Sequence, residues 1–259
     1  MISPDRVTYI GHATTLIELD GMRLLTDPVL RGRMLGVIVR DPPEPEAHLS
    51  ERLDAVLVSH LHHDHLDLAS LSRIGNEVPI VVPPGGAKVL QRRGFARVTE
   101  LGSGEKLRVG DVELTATEAV HDGRRHKIGP PVDAIGYVAR GARHAVYFAG
   151  DTDLFDGMAD LAGQLDAAML PIAGWGPKVG KGHLDPRSAA QAAAIMRPRL
   201  AIPIHWGTLL RIDLVRRREE FLRGPAERFR DQLAALAPGV EAAVLDPGDS
   251  VELAPRGSA

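Results

Sequence analysis

The stretch Val56-Leu57-Val58-Ser59-His60-Leu61-His62-His63-Asp64-His65 constrains this chain more than any other. Four of the eleven histidines fall within six consecutive positions, directly after an apolar run. The run reads as a buried strand and the polar cluster as the loop that leaves it. Imidazole nitrogen and carboxylate oxygen are the donors that suit zinc where no thiolate is available, and the chain has no cysteine. His60 and His62 lie two apart and can point the same way from extended backbone. Asp64 and His65 reach a second point once the chain turns. The competing reading is a surface histidine cluster that binds metal only adventitiously.

Other stretches repeat the pattern of an apolar run ending in a ligand-type residue. They are Leu24-Leu25-Thr26-Asp27, Thr117-Glu118-Ala119-Val120-His121, Val146-Tyr147-Phe148-Ala149-Gly150-Asp151 and Ala201-Ile202-Pro203-Ile204-His205. A lone strand-end histidine is more often structural than a ligand. Four such residues after four apolar strands instead mark one crevice along a sheet.

The 259 residues suffice for a sizeable core, with 44% hydrophobic and 25% charged side chains. Val7–Ile10, Thr15–Leu19 and Arg23–Thr26 read as strands, the last two joined by an Asp20-Gly21 hairpin turn. Ala55–Val58, Ile80–Val82, Val112–Ala116, Ile135–Ala139, Ala145–Ala149, Ala167–Leu170 and Ala201–Ile204 extend the set. Leu154–Leu161, Pro186–Met196 and Ala226–Leu236 have helical spacing, and Asp185-Pro186 supplies an N-cap followed by proline. Strands in hairpins, then strands alternating with helices, predict an α/β fold of helix-covered sheets. One domain over 1–252 is expected, with a loose tail at 253–259. The long connection Pro28–His48 is either a lid or substrate loop or unstructured. Arg216–Glu220 reads as a solvated helix face.

A net charge of -3 argues against a general nucleic-acid binder. No segment has signal-peptide or membrane-span character, so a cytoplasmic protein without stable membrane insertion is expected. Whether copies assemble into a homo-oligomer is open.

His60-x-His62-x-Asp64-His65, with Asp27, His121, Asp151 and His205 in order, resembles the motif set of the metallo-β-lactamase superfamily over roughly residues 9–208. The resemblance implies a four-layer αβ/βα sandwich of two mixed β-sheets with the site at one edge. It implies two divalent metal ions, zinc first, with manganese, iron or cobalt as alternatives. His60, His62 and His121 would hold one, Asp64, His65 and His205 the other, and Asp151 would bridge them. Asp27 would orient a ligand, and His63 would hold none. Metals about 3.5–4 Å apart share a water whose pKa falls towards about 7. That chemistry hydrolyses an ester, lactone, amide or phosphodiester. A bridging aspartate and no cysteine disfavour a true β-lactamase.

Tyr9-Ile10-Gly11-His12-Ala13-Thr14, Gly182-His183-Leu184-Asp185-Pro186 and His205-Trp206-Gly207-Thr208 narrow the resemblance. They are similar to the branch of ascorbate-6-phosphate lactonase and N-acyl-phosphatidylethanolamine-hydrolysing phospholipase D. His183, at a helix start that favours anions, is the candidate catalytic residue beside Asp64 and Asp151, or else a capping histidine. His12 is a candidate site-wall or structural residue, and Trp175 and Trp206 are candidate pocket walls. Lys178 and Lys181, with Arg124, Arg125 and Lys127, point to an anionic small molecule or lipid headgroup, or are solvated loop charges. The alternatives are a nuclease of the same fold and a non-catalytic metal-binding protein.

Overall fold

Short runs such as Val56-Leu57-Val58 and Ile80-Val81-Val82 are apolar on both sides of the strand, so each needs cover on two faces. The structure, a computed structural model describing residues 4–41, 44–126, 130–176 and 179–255, supplies it with two seven-stranded sheets packed face to face. The first sheet runs β17 (Ser250–Glu252), β1 (Arg6–Gly11), β2 (Thr14–Leu19), β3 (Met22–Thr26), β6 (Ala55–Leu57), β7 (Ile80–Val82), β8 (Val98–Glu100). The second runs β16 (Glu241–Ala242), β14 (Leu200–Ile204), β13 (Ala167–Pro171), β12 (Ala145–Phe148), β11 (Asp133–Arg140), β10 (Val112–Asp122), β9 (Lys106–Val109).

Alternation of side chains places the four layers. Leu16, Leu25, Val56 and Val58 of the first sheet pack outward with Leu71 and Leu90, from helices α1 (Leu68–Ile74) and α2 (Ala87–Gln91). Ile17, Leu24 and Leu57 point inward to the second sheet. Tyr137 Oη crosses the sandwich to the carbonyls of Val58 (2.8 Å) and Val81 (3.3 Å). Helices α3 (Pro186–Met196) and α5 (Gly224–Leu236) complete the fourth layer, with the short α4 (Arg218–Leu222) between them in the chain. The αβ/βα sandwich is thus the observed architecture. Asp20 and Gly21 both have positive φ, the turn type that matches hairpin twist.

One local expectation changes. Leu154–Leu161 holds only a 3-10 turn over Asp156–Leu161, because Phe155 is extended and no side chain caps the start. Within the connection 28–48, β4 (Arg33–Met34) and β5 (Ile38–Arg40) form a hairpin that pairs with β15 (Leu209–Arg211). The C-terminal stretch is tied down at its start. Leu253 is buried and its amide donates to the Asp5 carbonyl (2.8 Å), while the Ala254 carbonyl accepts from Arg199 (2.7 Å).

β3, β6, β7 and β8 are mutually parallel, as are β12, β13 and β14. Their carboxyl ends meet at one edge of the sandwich, where parallel α/β sheets form their ligand crevice.

Candidate metal centre

Each ligand-type residue is handed to this edge by a strand. β3 leads into Asp27, β6 into the Ser59–His65 loop, β12 into Gly150-Asp151 and β14 into His205. His121 is the next-to-last residue of β10, within the break in register between Glu118 and Asp122 that re-aims the strand. Gly150 has a φ of +61°, and a Cβ there would stand 2.6 Å from Ser59 Cβ, so only glycine lets the two loops meet. Asp27, His12 and His205 adopt φ of 33°, 55° and 63° without being glycine. Left-handed backbone costs such residues about 1–3 kcal/mol each and clusters at functional sites.

The seven candidate ligands converge. His62 Nδ1 lies 3.0 Å from His60 Nε2 and 3.2 Å from His121 Nε2. Opposite them, His65 Nε2 lies 3.1 Å from His205 Nε2, and Asp64 Oδ2 is 3.7 Å from both. Asp151 stands between the groups. Its Oδ2 is 3.1 Å from His65 Nε2 and 3.8 Å from His60 Nε2, and its Oδ1 is 3.3 Å from His205 Nε2.

The outer hydrogen bonds decide what the inner atoms offer. His121 Nδ1 donates to the Gly182 carbonyl (2.8 Å) and His205 Nδ1 to the Ala173 carbonyl. Ser59 Oγ donates to Asp27 Oδ2 (2.6 Å), so it accepts from His60 Nδ1 (2.9 Å). The inward Nε2 atoms of His60, His121 and His205 are therefore lone pairs. Lone pairs about 3 Å apart repel unless a cation lies between them. Asp151 Oδ1 is buried with no hydrogen-bond donor. These atoms fit divalent cations bound by nitrogen and oxygen.

The charges agree. Burial would raise the Asp64 and Asp151 carboxyls, but the surrounding imidazoles hold both well below the usual carboxylate range. Burial and neighbouring imidazoles push His60 well down, and burial, against the pull of Asp151, takes His121 to about 4. His65 is the exception. Burial opposes its charge, yet Asp151, Asp64 and Asp27 raise it well above the ordinary value. Carboxylates that draw a proton into a buried site define a place for a cation.

A second ring holds the first. Asp27, fully buried, accepts from the Ser59 amide (2.7 Å) and from His65 Nδ1 (2.7 Å) as well as the Ser59 hydroxyl. Asp64 Oδ2 accepts from His12 Nε2 (3.0 Å) and Trp175 Nε1 (3.2 Å). Burial first, then the neighbouring imidazole of His205, lowers His12 to about 3, so it donates as a neutral ring. The His12 carbonyl accepts from the His205 amide (2.6 Å), stitching the two sheets together at the site.

Over this centre lies a cavity of about 750 Å³. Leu35, Ile38, Trp175 and Val179 give it an apolar wall, and His62, Asp64, Asp151, His183 and His205 its polar floor. His183 Nε2 is 3.3 Å from Asp151 Oδ2, with its ring partly open to the cavity. Its Nδ1 faces the carbonyls of Gly180 and Lys181, both at 3.2 Å. Trp206 does not line this cavity: it is buried, stacks on Tyr9 and donates to the Pro203 carbonyl (2.8 Å). Lys181 is exposed and lines no part of the cavity. Lys178 and Lys127 lie outside the described residues. Arg124, paired with Asp122 (2.8 Å), and Arg211, paired with Asp213 (2.7 Å), line the cavity together with Arg125. His63 accepts from Arg125 (3.0 Å) and packs on His126, away from the ligand groups. Sequence reasoning gave no role to Ser59, although it sits next to the motif. The Gly182 and Ala173 carbonyls carry no sequence signal at all.

The family model for the beta-lactamase superfamily domain matches residues 22–206. The chain belongs to the beta-lactamase superfamily. Within it, a UPF0173 metal-dependent hydrolase of Methanopyrus kandleri is 33% identical over 264 residues, covering 95% of this chain and 99% of the relative. The N-acyl-phosphatidylethanolamine-hydrolyzing phospholipase D 1 of Caenorhabditis elegans is 32% identical, over 78% of this chain and 63% of its own length. Igni18, a metallo hydrolase of Ignicoccus hospitalis, superposes with a TM-score of 0.71 at 23% identity, over 96% of this chain and 98% of its own. That likeness shows the shared superfamily fold.

Proposed function

We propose that this chain is a hydrolase with two metal ions that cleaves an ester, lactone or phosphodiester in an anionic small molecule or lipid headgroup. The chain is a metal-dependent hydrolase of the beta-lactamase superfamily. One observation carries the proposal: two groups of inward-facing nitrogen and oxygen donors stand on either side of Asp151, with the Nδ1 hydrogens of His60, His65, His121 and His205 turned outward. His60, His62 and His121 would hold one cation, Asp64, His65 and His205 the other, and Asp151 both. When bound, the pair supplies Lewis acidity, lowering the pKa of water and stabilising negative charge on the oxygen under attack. Zinc suits these donors, with manganese, iron or cobalt also compatible.

The chain's own residues do the rest. Asp27 and the Gly182 and Ala173 carbonyls fix the imidazole tautomers, so the ligands need no rearrangement when charge develops. His12 and Trp175 both donate to Asp64 Oδ2, which holds that carboxylate in one orientation. His183, on the cavity face beside Asp151, is placed to pass a proton to a leaving oxygen. The apolar wall of Leu35, Ile38 and Trp175 shields the bond under attack from bulk water. Among the described residues no helix is long and apolar enough to cross a membrane.

The test is a panel of lactones, esters and phosphodiesters on metal-loaded protein, beside Asp151→Asn and His183→Gln. The expected result is metal-dependent turnover that Asp151→Asn abolishes, while His183→Gln keeps its metal and loses about 10²–10⁴-fold in kcat. Full activity in Asp151→Asn refutes the bridging role. Bound metal with no turnover on any class favours a non-catalytic binder.

A further inference from the structure

Arg124, Arg125 and His126 line the cavity over the metal centre and, on their other side, a second cleft of about 490 Å³. The second cleft has an apolar floor of Leu61, Leu68, Val89 and Val132. Its rim is cationic: Lys88, Arg92 and Arg93, on α2 and just after it, join Arg124 and Arg125. Among the described residues no aspartate or glutamate lines it. Arg124 is neutralised by Asp122. Among the described residues, Lys88, Arg92, Arg93 and Arg125 have no carboxylate within ion-pair distance.

Arg125 is the telling member. It is half-buried in the wall between the two clefts, and its guanidinium donates to the carbonyls of Leu61 (3.2 Å) and Leu66 (2.9 Å) and to His63 Nδ1 (3.0 Å). All three partners are neutral acceptors. They hold the cation in place without cancelling its charge. Burial pushes its pKa down, Asp67 pulls it up, and Arg93 pushes it down again. Four uncompensated cations around an apolar floor create a positive potential focused by low-dielectric walls. Guanidinium forks match the geometry of phosphate and carboxylate.

We propose that this cleft binds an oxyanion, phosphate or carboxylate, carried on an apolar arm that extends from the substrate's scissile bond in the neighbouring metal cavity. The link to the scissile bond rests on the hydrolase reading above; the anion site itself does not. The apolar floor takes the arm, Arg125 marks the passage between the clefts, and Lys88, Arg92 and Arg93 take the charge.

Calorimetric titration with octyl phosphate and with inorganic phosphate tests this, on metal-loaded and on chelator-treated protein. The variant is K88E/R93E, since both residues are exposed and neither touches the metal centre. The expected result is that octyl phosphate binds wild type at least about tenfold tighter than the variant, the scale of a few exposed charge contacts. The loss should persist after metal removal, while metal content and Tm match wild type. Octyl phosphate should also bind wild type more tightly than inorganic phosphate does. Equal octyl phosphate affinity in wild type and variant overturns the anion site. Equal affinity for the two probes in wild type overturns the apolar arm. If K88E/R93E loses Tm, K88Q/R93Q replaces it under the same criteria. A failure of the hydrolase reading appears separately, as absent turnover with the binding difference intact.

Discussion

Asp27 touches no atom of the cavity, yet both halves of the centre depend on it. It holds His65 directly and His60 through Ser59. All its partners are donors, so an amide nitrogen at this position would face a donor instead. If the proposed pair of metals is bound, Asp27→Asn should therefore weaken both, by about 10–100-fold as other outer partners of metal ligands do. Chelator competition checks this; unchanged affinity at both sites would contradict it. The candidate ligands were legible in the sequence because their residue types and strand-end spacing follow from local chain geometry. Trp175 could be read only as a wall, and Trp206 could not be distinguished from it. Which of two indoles faces the cavity is set by packing: Tyr9 takes the face of Trp206, and Asp64 takes the Nε1 hydrogen of Trp175.

The elements that deliver the ligands are short, apolar and buried, and such strands announce themselves. The elements that shape the cavity do not. β4, β5 and β15 span two or three residues each, and their pairing joins segments some 170 positions apart. No local pattern encodes that. Helix α3 is the opposite case. Asp185 caps it, accepting from the amides of Arg187 (2.9 Å) and Ser188 (2.8 Å), while Ser188 Oγ answers to the Asp185 amide (2.8 Å). Asp185→Ala should cost about 0.5–2 kcal/mol, which lowers Tm by a few degrees in a domain of this size. Thermal denaturation tests it. An unchanged Tm would mean that α3 is held by its buried alanine face alone.

At the scale of the molecule, stability rests partly on Asp5, which joins the start of β1 to the β11–β12 turn of the other sheet. Its carboxylate accepts from His144 Nδ1 (2.6 Å), Arg143 (2.9 Å) and the Asp20 amide (2.9 Å). Burial alone would raise its pKa; the His144 and Asp20 hydrogen bonds and the Arg143 charge outweigh it and leave it below the usual 3.8. A carboxyl lowered on folding stabilises the protein above its unfolded pKa, and that contribution is lost as pH falls through the folded one. In metal-free protein the Tm gap between wild type and Asp5→Asn should be constant near neutrality and close below about pH 4. A gap that widens in acid would contradict the sign. The four-layer order could be anticipated from strands that alternate with helices, whereas the return of β17 to pair with β1 depends on register across the whole chain.

Metal analysis by inductively coupled plasma mass spectrometry, on protein saturated with zinc and freed of excess, tests the paired centre most directly. The account predicts about two equivalents per chain, falling to one or fewer in Asp151→Asn. A saturated wild-type protein holding one equivalent or none would contradict it.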